Sequence, residues 1–315
     1  MQVFFYFFAS FVFFFRYNES ICSIERKKHM NTRAKYNLLL VFTAMIWGSA
    51  FVAQKSGGTI GGFTYNGIRT LLGGLVLIPV YFLLRKNKEM KSSIIGGIFC
   101  GLALFIASNL QQFGINNTSA SKAGFITSLY AIIVPFLSVF LHKKIRPIVW
   151  LSVVISLIGL YLLNYSAEGL SINIGDIQLM LCALAFAFQI LIIDHYSDHV
   201  NGVLMSATQF IVSGILSIVC MFLFEKPQIN AILASWWPIV YAGVFSSAIA
   251  YTLQIVGQRY VPPTEASLIF CLESVFSLLA GTIFLHERMK VINYIGCLLI
   301  FIAVVLSQWP KKAEC

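Results

Sequence analysis

One carboxylate limits how this chain can fold more than any other residue. The stretch Pro262 to Arg288, PPTEASLIFCLESVFSLLAGTIFLHER, carries Glu273 close to its middle. It is apolar over about the twenty residues that a helix needs to cross a bilayer. An ionisable side chain at that depth is costly to expose to lipid and requires a packed or watery interior. Ala266, Phe270, Ser277 and Ala280 stand at helical spacing from Glu273, so the face they share is expected to look inward. The stretch Thr118 to Lys144, TSASKAGFITSLYAIIVPFLSVFLHKK, has the same design: a polar start, an apolar run and a closing FLH before a charged pair. Two copies of one membrane segment point to two copies of a larger unit.

The remainder of the chain agrees with a membrane setting. With 58% hydrophobic and 11% charged residues and a mean hydropathy of +0.83, it cannot hide its apolar surface in a soluble core. The net charge of +10 does not indicate nucleic acid, because Lys and Arg cluster between apolar runs, where they orient spans. The seven cysteines, Cys22, Cys100, Cys182, Cys220, Cys271, Cys297 and Cys315, show no CxxC spacing and read as buried free thiols. No GxxxxGK[ST], GxSxG or HExxH motif occurs, which argues against nucleotide hydrolysis, against an enzyme of those classes and for no cofactor.

From Tyr36 onward the pattern predicts an all-α, polytopic protein of about ten spans. They lie near 37–54, 64–84, 94–114, 119–141, 147–164, 176–195, 200–224, 236–257, 264–285 and 291–309. Arg26-Lys27-Lys28, Arg85-Lys86 with Lys88 and Lys91, and Lys143-Lys144 with Arg146 then fall on one side. By the positive-inside rule that side is cytoplasmic, and both termini with it. Residues 1–29 differ from the rest: Val3 to Phe15 is almost pure Phe, with no basic residue ahead and no cleavage site behind. They are expected to be an extension outside the native protein, which would begin at Met30.

Residue matches support the duplication. Leu110 to Gly114 (LQQFG) falls on Leu253 to Gly257 (LQIVG) at an offset of 143, and Ser121 to Gly124 (SKAG) falls on Thr264 to Ser267 (TEAS). An offset of 144 places FLHKK on FLHER. The halves are 37–164 and 176–309, joined by Ser166 to Asn173. Five spans per half is an odd number, so the second half must be inverted relative to the first, an architecture that builds a midplane site reached alternately from either side.

The chain resembles the EamA family of the drug/metabolite transporter superfamily. The matching pieces are IWGSAFVAQK at Ile46 to Lys55, Arg69, TSASKAGFITSLYAIIVPF at Thr118 to Phe136, Gly175-Asp176, and LESVFSLLAGTIFLHER at Leu272 to Arg288. Where many relatives have Pro after Glu in span nine, this chain has Ser274, so a kink there needs another source, while span four retains Pro135. The resemblance implies a secondary transporter of the bacterial plasma membrane that exports an amino-acid-like or other small organic solute. Proton coupling and facilitated transport both remain open, as does the choice between monomer and homodimer. The alternatives are a carrier of nucleotide sugars or lipid-linked substrates, which should show several cavity bases, and a membrane-embedded enzyme or sensor.

Glu273 is the candidate for proton coupling or gating. Arg69, on a face with Asn66 and Gly73, is the candidate for binding a carboxylate. Polar and aromatic residues at inward positions complete the expected substrate site: Trp47, Asn109, Gln112, Tyr130, Gln189, Tyr251 and Gln254. Thr43, Gln54 and Ser247 belong to the same stripes, and interhelical hydrogen bonding is the competing role for all of them. Asp194, His195, Asp198 and His199 have two histidines four apart but lack a further ligand, and read as a solvated turn without metal.

Overall fold

The computed structural model describes residues 24–57, 60–83, 90–118, 120–163, 173–284 and 290–309. Of the expected extension, only the helical backbone from Ile24 onward lies among them; Cys22 and Cys315 lie outside. Span one is Ile24–Gly57, span two Gly62–Leu83, span three Met90–Asn117, and span four the helices Ala120–Thr127 and Tyr130–Phe140. Span five is Pro147–Leu163, span six Ile174–Tyr196, span seven Gly202–Phe224 and span eight the run Trp236–Gln258. Span nine joins Pro263–Phe270 to Leu272–Phe284, and span ten is Val291–Ser307. Eight of these are long and apolar enough to cross a membrane, while spans five and ten are apolar helices of 17 residues.

Short-range chemistry sets where several spans begin. Asn173 and Asp176 form a reciprocal capping box at the start of span six, each side chain accepting the other's backbone N–H at 2.9 Å. Asn201 accepts from Val203 and Leu204 N–H at the start of span seven. Span two is capped from a distance: Glu225, at the end of span seven, accepts from Phe63 N–H at 2.9 Å and Thr64 N–H at 2.8 Å. Pro263 opens span nine at a position where a missing N–H removes no helical bond.

Interactions at the span ends show that successive spans cross in opposite directions. At the end where span one begins, which we term the near end, Arg33, Arg146, Glu265 and the backbone of Ser307 and Trp309 converge. At the far end Lys122 meets Asp176, and Asn293 donates to the Leu163 carbonyl at 2.6 Å. Span two packs along span seven, and span five along span ten. Span three lies on span six as span eight lies on span one, and span four lies on span six as span nine lies on span one. Renumbering each span by five leaves this pattern unchanged, which is an approximate two-fold relation. Since span one runs near to far and span six far to near, the halves are inverted.

The polarity is the reverse of a soluble protein's. Phe42, Phe82, Phe99, Phe136, Phe222 and Leu298 are exposed on the outside, as lipid requires, whereas Thr70, Ser128, Ser138, Ser213 and Gln209 are buried. Small residues allow the helices to approach: a Cβ on Gly159 of span five would lie 2.9 Å from the Gly296 carbonyl oxygen of span ten. The free thiols among the described residues are Cys100, Cys182 and Cys271, which are buried, and Cys220 and Cys297, which are half-buried.

Candidate functional site

Spans four and nine are each interrupted halfway, and the interruptions meet. Span four turns at Ser128 and Leu129, where Leu129 N–H reaches back only three residues to the Ile126 carbonyl at 3.2 Å. Span nine turns at Cys271, whose N–H bonds the Leu268 carbonyl at 3.2 Å. Such tightened turns redirect the side chains that follow. Tyr130 OH then donates to Glu273 Oε1 at 2.8 Å, and Ser128 Oγ reaches the same oxygen at 3.4 Å. Ser128 and Ser274 also share a hydroxyl bond of 2.9 Å. Tyr130 and Glu273 are 143 residues apart, the repeat offset itself, so their bond joins equivalent positions and lies on the pseudo-two-fold axis. Glu273 is about ten residues into its span, roughly 15 Å of helical rise, or half the thickness of a bilayer core.

A cavity opens around this bond, with about 40 Å³ of space for the centre of a water-sized sphere. Its walls are aromatic: Trp47 tilts against Tyr251 at 4.7 Å and Phe270 at 5.2 Å between ring centroids, and Phe51 and Phe186 also face it. Trp47 Nε1 donates to the Ser246 carbonyl at 3.3 Å. That carbonyl belongs to a π-helical stretch of span eight, Ala242–Tyr251, whose wider turn brings Ser246 and Tyr251 to the lining. Gln189 and Gln254 exchange two amide bonds of 3.3 Å at the wall. Arg69 is 4% exposed; its Nε donates to Asn66 Oδ1 at 2.7 Å, and its guanidinium lies 5.5 Å from the Tyr65 ring centre. Among the described residues the lining therefore holds one guanidinium and one carboxylate, set in aromatic and amide walls.

The chain has relatives among known proteins. The model of the EamA-like transporter family matches the chain twice, at residues 34–165 and 173–309. The chain belongs to the EamA-like transporter family. Relatives carry the same description: an uncharacterized transporter of Archaeoglobus fulgidus is 32% identical over 274 residues, covering 86% of this chain and 84% of its own. The transporter YoaV of Bacillus subtilis is 23% identical and covers 87% of this chain and 97% of its own, and a Synechocystis transporter is 27% identical and covers 92% and 94%. A crystal structure at 19% identity shares the fold, with a TM-score of 0.74 over 87% of this chain and 96% of the other. Family and fold together make the chain a polytopic membrane transporter.

In this EamA transporter the cavity gathers Trp47, Arg69, Tyr130, Gln189, Tyr251, Gln254 and Glu273 from the residues expected on sequence grounds. Asn109 and Gln112 stand outside the lining. Asn109 donates to Ser217 Oγ at 3.0 Å and accepts from Asn66 at 3.1 Å, so it holds the asparagine that holds Arg69. Gln112 donates to the Gln54 carbonyl and to Asn116, each at 3.4 Å, and ties span three to span one. The lining also includes Gln111, Thr127, Ile190 and Ser246, which the polar stripes did not single out. Ser246 takes the place expected for Ser247 because the π-helical turn shifts the phase of span eight. Gln111 is adjacent to Gln112 and turned about 100° from it. At the near end Asp194 pairs with Lys143, and His195 packs edge-on against Tyr196. The side chain of His199 lies outside the described residues, and no three His, Cys, Asp or Glu converge among those described.

Proposed function

We propose that this protein is a secondary transporter that exports a small, amino-acid-like solute by exposing the axial cavity alternately at its near and far ends. The halves, 37–164 and 176–309, rock about the axis, and the near end faces the cytoplasm, where the Lys and Arg clusters direct it. The observation that carries this reading is that Arg69 and Glu273 line one aromatic cavity on that axis. A guanidinium suits a carboxylate and a buried carboxylate suits an ammonium group, while Trp47, Tyr251 and Phe270 offer apolar faces. Glu273 is also a titratable group of the lining able to exchange a proton with the cycle. A nucleotide-sugar carrier would need several cavity bases, and among the described residues Arg69 is the one Lys or Arg in the lining.

Flux of labelled amino acids in proteoliposomes, with and without a pH gradient, tests the reading. Movement of one solute class that follows the gradient in the parent protein and ignores it in Glu273→Gln is the expected result. Flux indifferent to both gradient and substitution would make the protein a facilitator and return Glu273 to a packing role. No flux of any amino acid would remove the solute assignment.

A further inference from the structure

The bundle carries an ion pair at each end, and the repeat maps one pair onto the other with the charges exchanged. At the far end Lys122 Nζ lies 2.7 Å from Asp176 Oδ2; at the near end Arg33 pairs with Glu265. The 143-residue offset that relates Tyr130 to Glu273 also carries Lys122 onto Glu265 and Arg33 onto Asp176. Each pair bridges the two halves: Lys122 of span four reaches span six, and Arg33 of span one reaches Glu265 of span nine. Both carboxylates are buried, at 1% and 4% exposure, whereas both cations are about one-third exposed, at 35% and 34%.

That combination is poorly suited to stabilising the fold. Half-exposed ion pairs contribute little, because separated ions recover their hydration once water reaches them. The same property suits a contact that must form and break repeatedly. While an end is shut, its carboxylate is buried and needs the cation; when the end opens, water takes over both charges, so closed and open forms stay close in energy. The rest of each site keeps its carboxylate in place through the change. Asp176 is fixed by its capping box with Asn173, and Glu265 sits in the first turn of span nine just after Pro263.

We infer that Lys122–Asp176 and Arg33–Glu265, both formed in this structure, are the two end closures of the transport cycle, each breaking while the other holds. This rests on the alternating-exposure reading. The near-end carboxylate has further partners. Glu265 also accepts from Arg146 at 2.9 Å, and Arg146 donates to the Ser307 and Trp309 carbonyls at 2.7 and 2.6 Å. Lys143 and Asp194 add a further bridge between the halves at the near end.

A reporter cysteine reads this without any solute. Ser246→Cys places a thiol in the axial cavity, and a charged, membrane-impermeant thiol reagent is applied to right-side-out and inside-out vesicles. Protein lacking the reporter gives the background from the native thiols. Lys122→Gln, which leaves the capping box intact, should raise labelling from the far side about two- to fivefold and lower it from the near side. Glu265→Gln should do the reverse, and Lys122→Arg should match the parent. Arg33→Gln, which leaves Arg146 on Glu265, should give a smaller shift of the same sign as Glu265→Gln and serves if that variant folds poorly. Changes of the same sign at both ends, or none at either, would overturn the closures, because a merely structural pair has no side preference. Absent solute flux alongside opposite shifts would remove the transport reading and keep the closures.

Discussion

Span four and span nine occupy equivalent places in the repeat and turn at equivalent residues, Ser128 and Cys271, yet only span nine brings a carboxylate to the axis. Their backbones match closely: Ala131 N–H reaches the Ser128 carbonyl at 3.0 Å, and Ser274 N–H, one offset later, reaches the Cys271 carbonyl at 3.2 Å. Their side chains diverge. Tyr130 stands opposite Glu273, Lys122 opposite Glu265, and Pro135 opposite Leu278. Their neighbours diverge as well, since span one crosses span nine at Gly48, while the same offset places Leu191 on span six. The interruptions repeat with the spans while the side chains divide the work: span four donates a hydroxyl, and span nine holds the carboxyl group that accepts it.

The sharpest way to break this comparison is to neutralise each axial residue in turn. Glu273→Gln should lower gradient-driven flux at least about tenfold, whereas Tyr130→Phe should cost less, because Ser128 still reaches the carboxylate. Equal losses in the flux assay would mean that the hydrogen bond, and not the carboxylate, is what the site needs. Next in size is the crossing of span one. A Cβ on Gly48 would lie 2.5 Å from Phe276 Cβ and 2.6 Å from the Glu273 carbonyl oxygen, so Gly48→Ala forces the helices apart at about 1–3 kcal/mol. Gly124 of span four meets nothing closer than Ser274 Oγ at 3.7 Å, and Gly124→Ala should be neutral or stabilising by up to about 1 kcal/mol. Thermal unfolding in detergent distinguishes the two, and similar melting shifts would show that span nine is no more tightly held than span four.

Much of this arrangement was legible in the sequence. Span positions followed from apolar length, the duplication from LQQFG against LQIVG and SKAG against TEAS, and the inward aim of Glu273 from the cost of exposing it. What stayed hidden depends on tertiary contact. Neither Ser128 nor Cys271 is a residue that breaks helices, and span four turns well before Pro135, so proline was no guide to either interruption. The π-helical stretch of span eight shifts a helical phase that pattern reading assumes to be constant, which is why Ser246 lines the cavity and Ser247 packs beside Gly73. The offset did place Lys122 on Glu265, but nothing local in the chain pairs Lys122 with Asp176 or Glu265 with Arg33.

The smallest expected effect comes from placing a proline directly after this glutamate. Ser274 lies in the first turn of the helix that restarts at Leu272, a position where proline is tolerated. Ser274→Pro removes one N–H, whose bond to Cys271 is a short-range one, and one hydroxyl, bonded to Ser128 at 2.9 Å and to the Gly124 carbonyl at 3.3 Å. The fold should therefore lose no more than about 1 kcal/mol. The residue before a proline is pushed away from helical geometry, so the strain falls on Glu273 and on its bond with Tyr130. Melting close to the parent's together with altered gradient dependence of flux would show that the turn at Cys271 serves to aim the carboxylate. A large drop in melting temperature would instead show that the Ser128–Ser274 link fastens span four to span nine, making the two interruptions one structural unit.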